Sequence, residues 1–311
     1  MQFDYIPRGD FMLEKAFHSP EEITQDYLEI GSKKAARPVH KQILLGILAG
    51  AFVGLASQGS HMAVHAIENL SLARVLSGAL FSTALILIII AGGELFTGNT
   101  LLVIAAIKRR ITVLSTLKNW SLVYFGNFIG GLGIVLLINL SGQLDATYGT
   151  LGGYTIYVAS NKVNLAFHSA FIFGVFCNWL VCLAVWMSAG AQDVTGKILA
   201  IFFPIWLFVI SGFEHSIANM YYIPAGILAL NNPEWVQAAM DTYNVSAQSI
   251  EGLNWVSLFT NNLIPVTLGN LVGGAFFVGI TYLAAFGKLD PRDPDYYWNK
   301  RKAARKSKKK K

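Results

Sequence analysis

Six apolar stretches, each long enough to cross roughly 30 Å of hydrocarbon, occupy positions 42–66, 75–107, 115–141, 164–190, 196–230 and 256–286. Lipid offers no partner to backbone N–H and C=O groups, so a single segment crosses it as a helix, with its hydrogen bonds closed internally. The pattern predicts an all-α membrane protein with six transmembrane helices. Composition supports this: hydrophobic residues make up 54% of the chain and charged residues 14%, too little charge to solvate a globular surface of this size. Three regions follow: a segment over 1–41 ahead of the membrane, a membrane domain over 42–286, and a basic tail over 287–311 expected to be disordered.

Charge placement orients the helices. Of the 24 Lys and Arg, all but Arg74 and Lys162 fall before the first stretch, in the second and fourth loops or the first residues of the stretches that follow them, or after the last stretch. The positive-inside rule then puts both termini in the cytoplasm. The basic tail directly follows a hydrophobic span, so it reads as a solvated tail against an anionic leaflet rather than a nucleic-acid arm. Ser19-Pro20-Glu21-Glu22 is a helix-start signature, with Pro at the first position and acids in the first turn. The segment 20–36 is expected to be a short amphipathic helix lying on the membrane surface. The acidic, polar N-terminus does not resemble a cleavable signal peptide. Cys177 and Cys182 share one apolar segment and read as buried small residues.

The two halves match each other without gaps at two places. Ala91 to Asn99 aligns with Ser211 to Asn219 in the pattern small-Gly-x-Glu-x-x-x-small-Asn, and Gly126-Asn127-Phe128-Ile129-Gly130-Gly131 aligns with Gly269-Asn270-Leu271-Val272-Gly273-Gly274. Each repeat holds three spans, an odd number, so the second is inverted relative to the first. Glu, Gly and Asn near the middle of the second and fifth stretches predict broken helices, and matching breaks in inverted repeats point to a central site on a pathway. Buried Glu and Asn are tolerated there because backbone and side chains find partners, or because a pore is lined.

The segments Gly93-Glu94-Leu95-Phe96-Thr97-Gly98-Asn99, Asn178 to Ala184, Ser211 to Asn219, and Asn262 to Asn270 resemble the signature segments of the formate/nitrite transporter family. The resemblance runs from about residue 20 to 287. It implies an aquaporin-like protomer, a homopentamer with one pore per subunit in the cytoplasmic (inner) membrane, and passage of small monovalent anions. Phe208 to Asn219 and Ile223-Pro224 look most like formate channels. Glu94 and Gly98-Asn99 lean toward the nitrite branch, which leaves the substrate open between formate and nitrite, with hydrosulfide, acetate or lactate as relatives.

An isolated anion in low dielectric is costly, so a pore has to supply positive potential or remove the charge by protonation. His215 is the only histidine beside a predicted break, and an ordinary pKa near 6.5 suits either role. By resemblance it is the central pore histidine; a satisfied core histidine is the other reading. Glu214 is expected to accept hydrogen bonds from backbone N–H groups at the break or to raise the basicity of His215, and Glu94 is its structural mate. By resemblance Thr97 offers a hydroxyl to His215 or the anion. Asn178 and Asn219 bring amide donors, with interhelical glue as the rival role for Asn219. Lys162 resembles the lysine that draws anions to the outer pore; a solvated loop lysine is the alternative. Phe81, Leu85, Leu95 and Phe208 sit where the family forms apolar constrictions, though any of them could be core packing. Leu95 stands opposite His215 in the repeat, so the two half-sites share a scaffold and differ in chemistry.

Other classes fit less well. His61 and His65 have i,i+4 spacing but lack the glutamate of a metalloprotease helix, and no cofactor motif or nucleophile–base set suggests an enzyme. Leu-Phe-Thr and His-Ser-Ile stand where a neutral-solute pore of the aquaporin type would carry its Asn-Pro-Ala pair. The expected partners are the anion, protons, lipid and further copies of the chain.

Overall fold

The computed structural model describes residues 17–287. The expected basic tail, after Gly287, and the first sixteen residues of the N-terminal segment lie outside the described residues. The fold is all-helical: α1 (Pro20–Ala35), α2 (Val39–Val64), α3 (Leu70–Gly92), α4 (Phe96–Ile107), α5 (Val113–Leu140), α6 (Thr150–Val163), α7 (Phe167–Gly190), α8 (Val194–Ile210), α9 (Ser216–Ala229), α10 (Pro233–Tyr243), α11 (Ala247–Glu251) and α12 (Trp255–Phe286). Helices α2, α3, α5, α7 and α12 are long and apolar enough to cross a membrane, while α4 and α8 are shorter apolar helices.

The start of α1 follows from its first residues. Ser19 Oγ accepts from the Glu22 N–H while the Glu22 carboxylate accepts from the Ser19 N–H, a capping box that satisfies two otherwise unpaired donors. Its apolar face, Ile23, Tyr27 and Leu28, is covered by protein: it joins a core cluster with Leu101 and Ile104 of α4, Trp186 of α7 and Leu283 of α12. Tyr27 stacks on Trp186 with ring centroids 5.1 Å apart. This helix therefore caps the ends of three others.

The scaffold consists of two tight helix pairs. Helix α2 packs on α5 where a Cβ on Gly50 would run into the Asn127 carbonyl. Helix α7 packs on α12 where a Cβ on Gly269 would run into the Phe171 carbonyl. Small residues let backbones approach this closely, and close packing drives helix association in lipid. Toward the outside, Leu44, Leu55, Phe125, Leu137, Phe203 and Phe276 are exposed, leaving an apolar surface for lipid or neighbouring chains.

The second and fifth stretches each divide in two. Helix α3 ends at Gly92, whose φ is +104°, residues 93–95 run extended, and α4 starts at Phe96. Helix α8 ends at Ile210, Gly212 has φ +71°, and α9 starts at Ser216. The positive φ at both glycines is the conformation that side chains disfavour. The chain leaves helical geometry at Glu94 and Glu214; of the four pieces α4, α8 and α9 are shorter than a full crossing, while α3 alone is long enough for one.

Helices α6 and α10 occupy regions that the hydropathy pattern assigns to loops. Thr150–Val163 mixes small and polar residues, so no apolar run announces it, and it folds because α9 and α10 cover it. Trp235 of α10 packs directly over Gly152.

Candidate functional site

Two asparagines build the site from its backbone up. At the α3–α4 junction, Asn127 Oδ1 accepts from the Phe96 N–H at 3.0 Å, and its Nδ2 donates to the carbonyls of Gly46 and Glu94 at 2.8 and 2.9 Å. At the α8–α9 junction, Asn270 Oδ1 accepts from the Ser216 N–H at 2.9 Å, and its Nδ2 donates to the carbonyls of Gly174 and Glu214 at 2.8 and 3.0 Å. Both carboxamides thus satisfy backbone groups that a helix break leaves open. The Glu94 N–H reaches Leu45 O and the Glu214 N–H reaches Phe173 O, completing the match.

The two carboxylates are buried and answered by cations. Glu94 meets Lys34 Nζ at 2.9 Å, the Arg37 guanidinium, and Asn99 Nδ2 at 2.7 Å. Glu214 meets Lys162 Nζ at 2.8 Å, Asn219 Nδ2 at 2.6 Å and Asn262 Nδ2 at 3.3 Å. Pairing plus hydrogen bonds makes a buried charge tolerable. The expectation that Glu214 takes backbone N–H groups at the break is corrected by these partners. Asn270 occupies that backbone position, and the carboxylate turns to Lys162 and the two asparagines. Lys162 is no solvated loop residue: it lies in α6, its side chain 15% exposed, with Nζ 5.3 Å from the centroid of the Tyr222 ring.

His215 is buried at the start of α9. Its Nδ1 accepts from the Ala218 N–H at 3.1 Å, and its Nε2 lies 2.9 Å from Thr97 Oγ1. An acceptor at Nδ1 assigns the neutral ring its proton at Nε2, which then donates to the Thr97 hydroxyl. Thr97, fully buried, joins the two junctions across the molecule. Asn178 stays close but is bound elsewhere: its Nδ2 donates to Asn270 O at 2.6 Å and to Thr97 O at 3.3 Å, tying α7 to α12 and α4.

Two cavities meet at His215. One of about 160 Å³ is lined by His61, Lys162, Glu214, His215, Asn219 and Tyr222, among others. The other, about 10 Å³, is apolar; Phe81, Leu85, Leu95 and Phe208 all line it together with His215. Phe81 and Phe208 meet edge to face at 5.8 Å, and both also border the larger cavity. The structure thus brings Lys162, Glu214, His215, Asn219, Phe81, Leu85, Leu95 and Phe208 to these two cavities, with Thr97 bonded to His215. Glu94 and Glu214 stand back from His215's ring contacts.

Sequence reasoning missed Lys34 and Arg37 as partners of Glu94, and Asn99, Asn119 and Asn262 as members of the carboxylate networks. Asn99 donates to Asn119 Oδ1 at 3.0 Å, as Asn219 donates to Asn262 Oδ1 at 2.7 Å. The repeat offered a signal for Asn99, the mate of Asn219. Among the described residues, no group of three or more His, Cys, Asp or Glu is placed to hold a metal ion.

A family model described as formate/nitrite transporter matches residues 21–284. The chain is 39% identical over 281 residues to an uncharacterized transporter, YrhG, of Bacillus subtilis, covering 88% of this chain and 96% of the relative. It is 37% identical over 279 residues to the formate channel BtFdhC of Bacillus thuringiensis, covering 88% and 97%, and 39% identical over 268 residues to the formate channel FocA of Haemophilus influenzae, covering 84% and 92%. Among solved structures, a pentameric formate channel with formate bound superimposes with a TM-score of 0.72 at 36% identity, over 80% of this chain and 98% of that one. The fold and the near full-length matches converge, and this chain belongs to the formate/nitrite transporter family.

Proposed function

We propose that the chain forms a channel for small monovalent anions, formate foremost, through one pore in each subunit of a homopentamer in the cytoplasmic membrane. In this reading six spans form two inverted repeats, α3–α4 and α8–α9 are the broken second and fifth spans of an aquaporin-like protomer, and both termini face the cytoplasm. The pentameric formate channel that the chain resembles supports the assembly, and the matched hydrogen bonds of Asn127 and Asn270 support the repeat.

One juxtaposition carries the reading: His215, bonded to Thr97, stands between a polar cavity and an apolar one. Phe81, Leu85, Leu95 and Phe208 make the apolar side too dry for a hydrated ion. The anion sheds water there, and draws the Nε2–H of His215 away from the Thr97 hydroxyl oxygen, or shares it, to replace part of the lost hydration. The neutral ring donates a hydrogen bond without giving up its proton. Charging it means protonating Nδ1, which breaks the bond from the Ala218 N–H, so any proton-linked mode couples to the first turn of α9. Lys162 and the polar cavity attract the anion.

The test is flux of formate and nitrite into liposomes at two pH values, for wild type and His215→Ala. Formate flux in the wild type, and its loss or loss of its pH response in the variant, is the expected result. Absence of formate flux overturns the substrate, and an unchanged pH response in the variant overturns the role of His215.

A further inference from the structure

His61 lies in the last turn of α2, 3% exposed, and the role proposed for His215 makes no use of it. Its ring stacks on Tyr222 with centroids 4.8 Å apart and meets Tyr154 edge-on at 5.0 Å. Aromatic packing alone would account for a phenylalanine here. A histidine carries two polar nitrogens, and Nδ1 is buried with no hydrogen-bond partner. Such an orphan lowers stability, and native structures rarely keep one without a reason.

The reason lies in the cavity. His61 lines the same 160 Å³ space as Lys162, Glu214, His215 and Asn219. His61 and Lys162 also share one neighbour, since the Lys162 ammonium lies 5.3 Å from the centroid of the ring on which His61 stacks. Lys162 has three donors and one hydrogen bond to Glu214, at 2.8 Å. The other charged or titratable groups around His61 are Tyr154 of α6, Tyr222 of α9, and His65 on its own helix, held by Met62 O and Thr147 Oγ1. Arg74 of α3 borders the adjoining space with Tyr154 and Lys162.

We propose that His61 is a second binding residue for the permeating anion: with Lys162 it holds a small carboxylate in the polar cavity before that anion reaches His215. A ring N–H donates to one carboxylate oxygen and the Lys162 ammonium to the other. This rests on the channel reading given above, and it adds a resting station that sets how much substrate half-fills the pore. A hydrogen bond to a charged group is worth enough to shift that concentration about ten-fold.

The experiment measures initial formate flux against concentration in liposomes for the full-length wild type, His61→Phe, His61→Met and His61→Gln, each checked for a melting temperature no lower than that of the wild type. Phenylalanine keeps the stacking and removes the nitrogens, methionine removes ring and nitrogens, and glutamine keeps an N–H donor. The expected result is a half-saturating formate concentration raised about ten-fold in a folded donor-free variant, with glutamine between that variant and wild type. A folded donor-free variant that half-saturates where the wild type does overturns the station while leaving the channel reading intact. A wild type that passes no formate at all overturns the channel reading, and the station with it.

Discussion

Leu95 and His215 hold nearly the same backbone conformation, φ/ψ of −103°/124° and −111°/113°, each as the last residue before a helix start. The backbone is matched and the side chains are opposed: a hydrocarbon on one side, a hydrogen-bond donor on the other. His215→Leu makes the half-sites alike. It removes the Ala218 cap, worth about 1 kcal/mol, and the donor to the anion, worth about 1.5–3 kcal/mol. Formate flux is expected to fall roughly 10- to 150-fold, in protein that still assembles. Flux near the wild-type level would mean that the anion passes without this donor.

The asparagine anchors are expected to matter more to folding than to transport. Asn127→Ala and Asn270→Ala each strand a buried backbone N–H and two carbonyls, at about 1–3 kcal/mol per group left unpaired. Both variants should lose most of the folded oligomer in detergent, measured by fluorescence-detected size exclusion. A wild-type elution profile from either one refutes the anchoring role.

Lys162 and Glu214 should behave as a coupled pair. Lys162→Met leaves a buried carboxylate unanswered, a loss of about 3–5 kcal/mol for a buried pair, and it also places bare negative charge beside the anion's path. Both stability and formate flux fall. The double variant Lys162→Met/Glu214→Gln is expected to recover much of the stability, as read from a double-mutant cycle of melting temperatures. A double variant as unstable as the sum of the two single changes argues against coupling.

Helix contacts give a prediction with internal controls. Gly50→Ala and Gly269→Ala drive a methyl into a facing carbonyl, and overpacking of this kind costs typically about 1–3 kcal/mol. Gly59→Ala and Gly133→Ala add the same methyl to open space and should leave the melting temperature unchanged or raised. Equal effects at all four positions contradict close packing at the two helix pairs.

Much of this was legible in the sequence where lipid dictates the answer. A segment crossing hydrocarbon has to be apolar and helical, so the predicted stretch 115–141 and the observed Val113–Leu140 differ only at their ends. The two junctions were legible because Gly92 and Gly212 recur at matched places beside Glu94 and Glu214. Helices α6 and α10 were not, because their burial comes from packing on neighbours and leaves no apolar run. The partners of the carboxylates were hidden for another reason. Lys34 and Glu94 are sixty positions apart, and nothing in the local pattern of either one refers to the other. Glu214 was misassigned because the sequence showed an acid at a break, and an acid is a usual answer to open N–H groups. Asn270, fifty-four residues beyond Ser216, already held that place.

The order of the ion-pair partners along the chain has a consequence for biosynthesis. Lys34 and Arg37 precede Glu94, and Lys162 precedes Glu214. A ribosome works from the N-terminus, so each countercharge is already made when the acid that needs it emerges. Neither carboxylate has to wait for a later segment before it can be neutralised on its way into the bilayer.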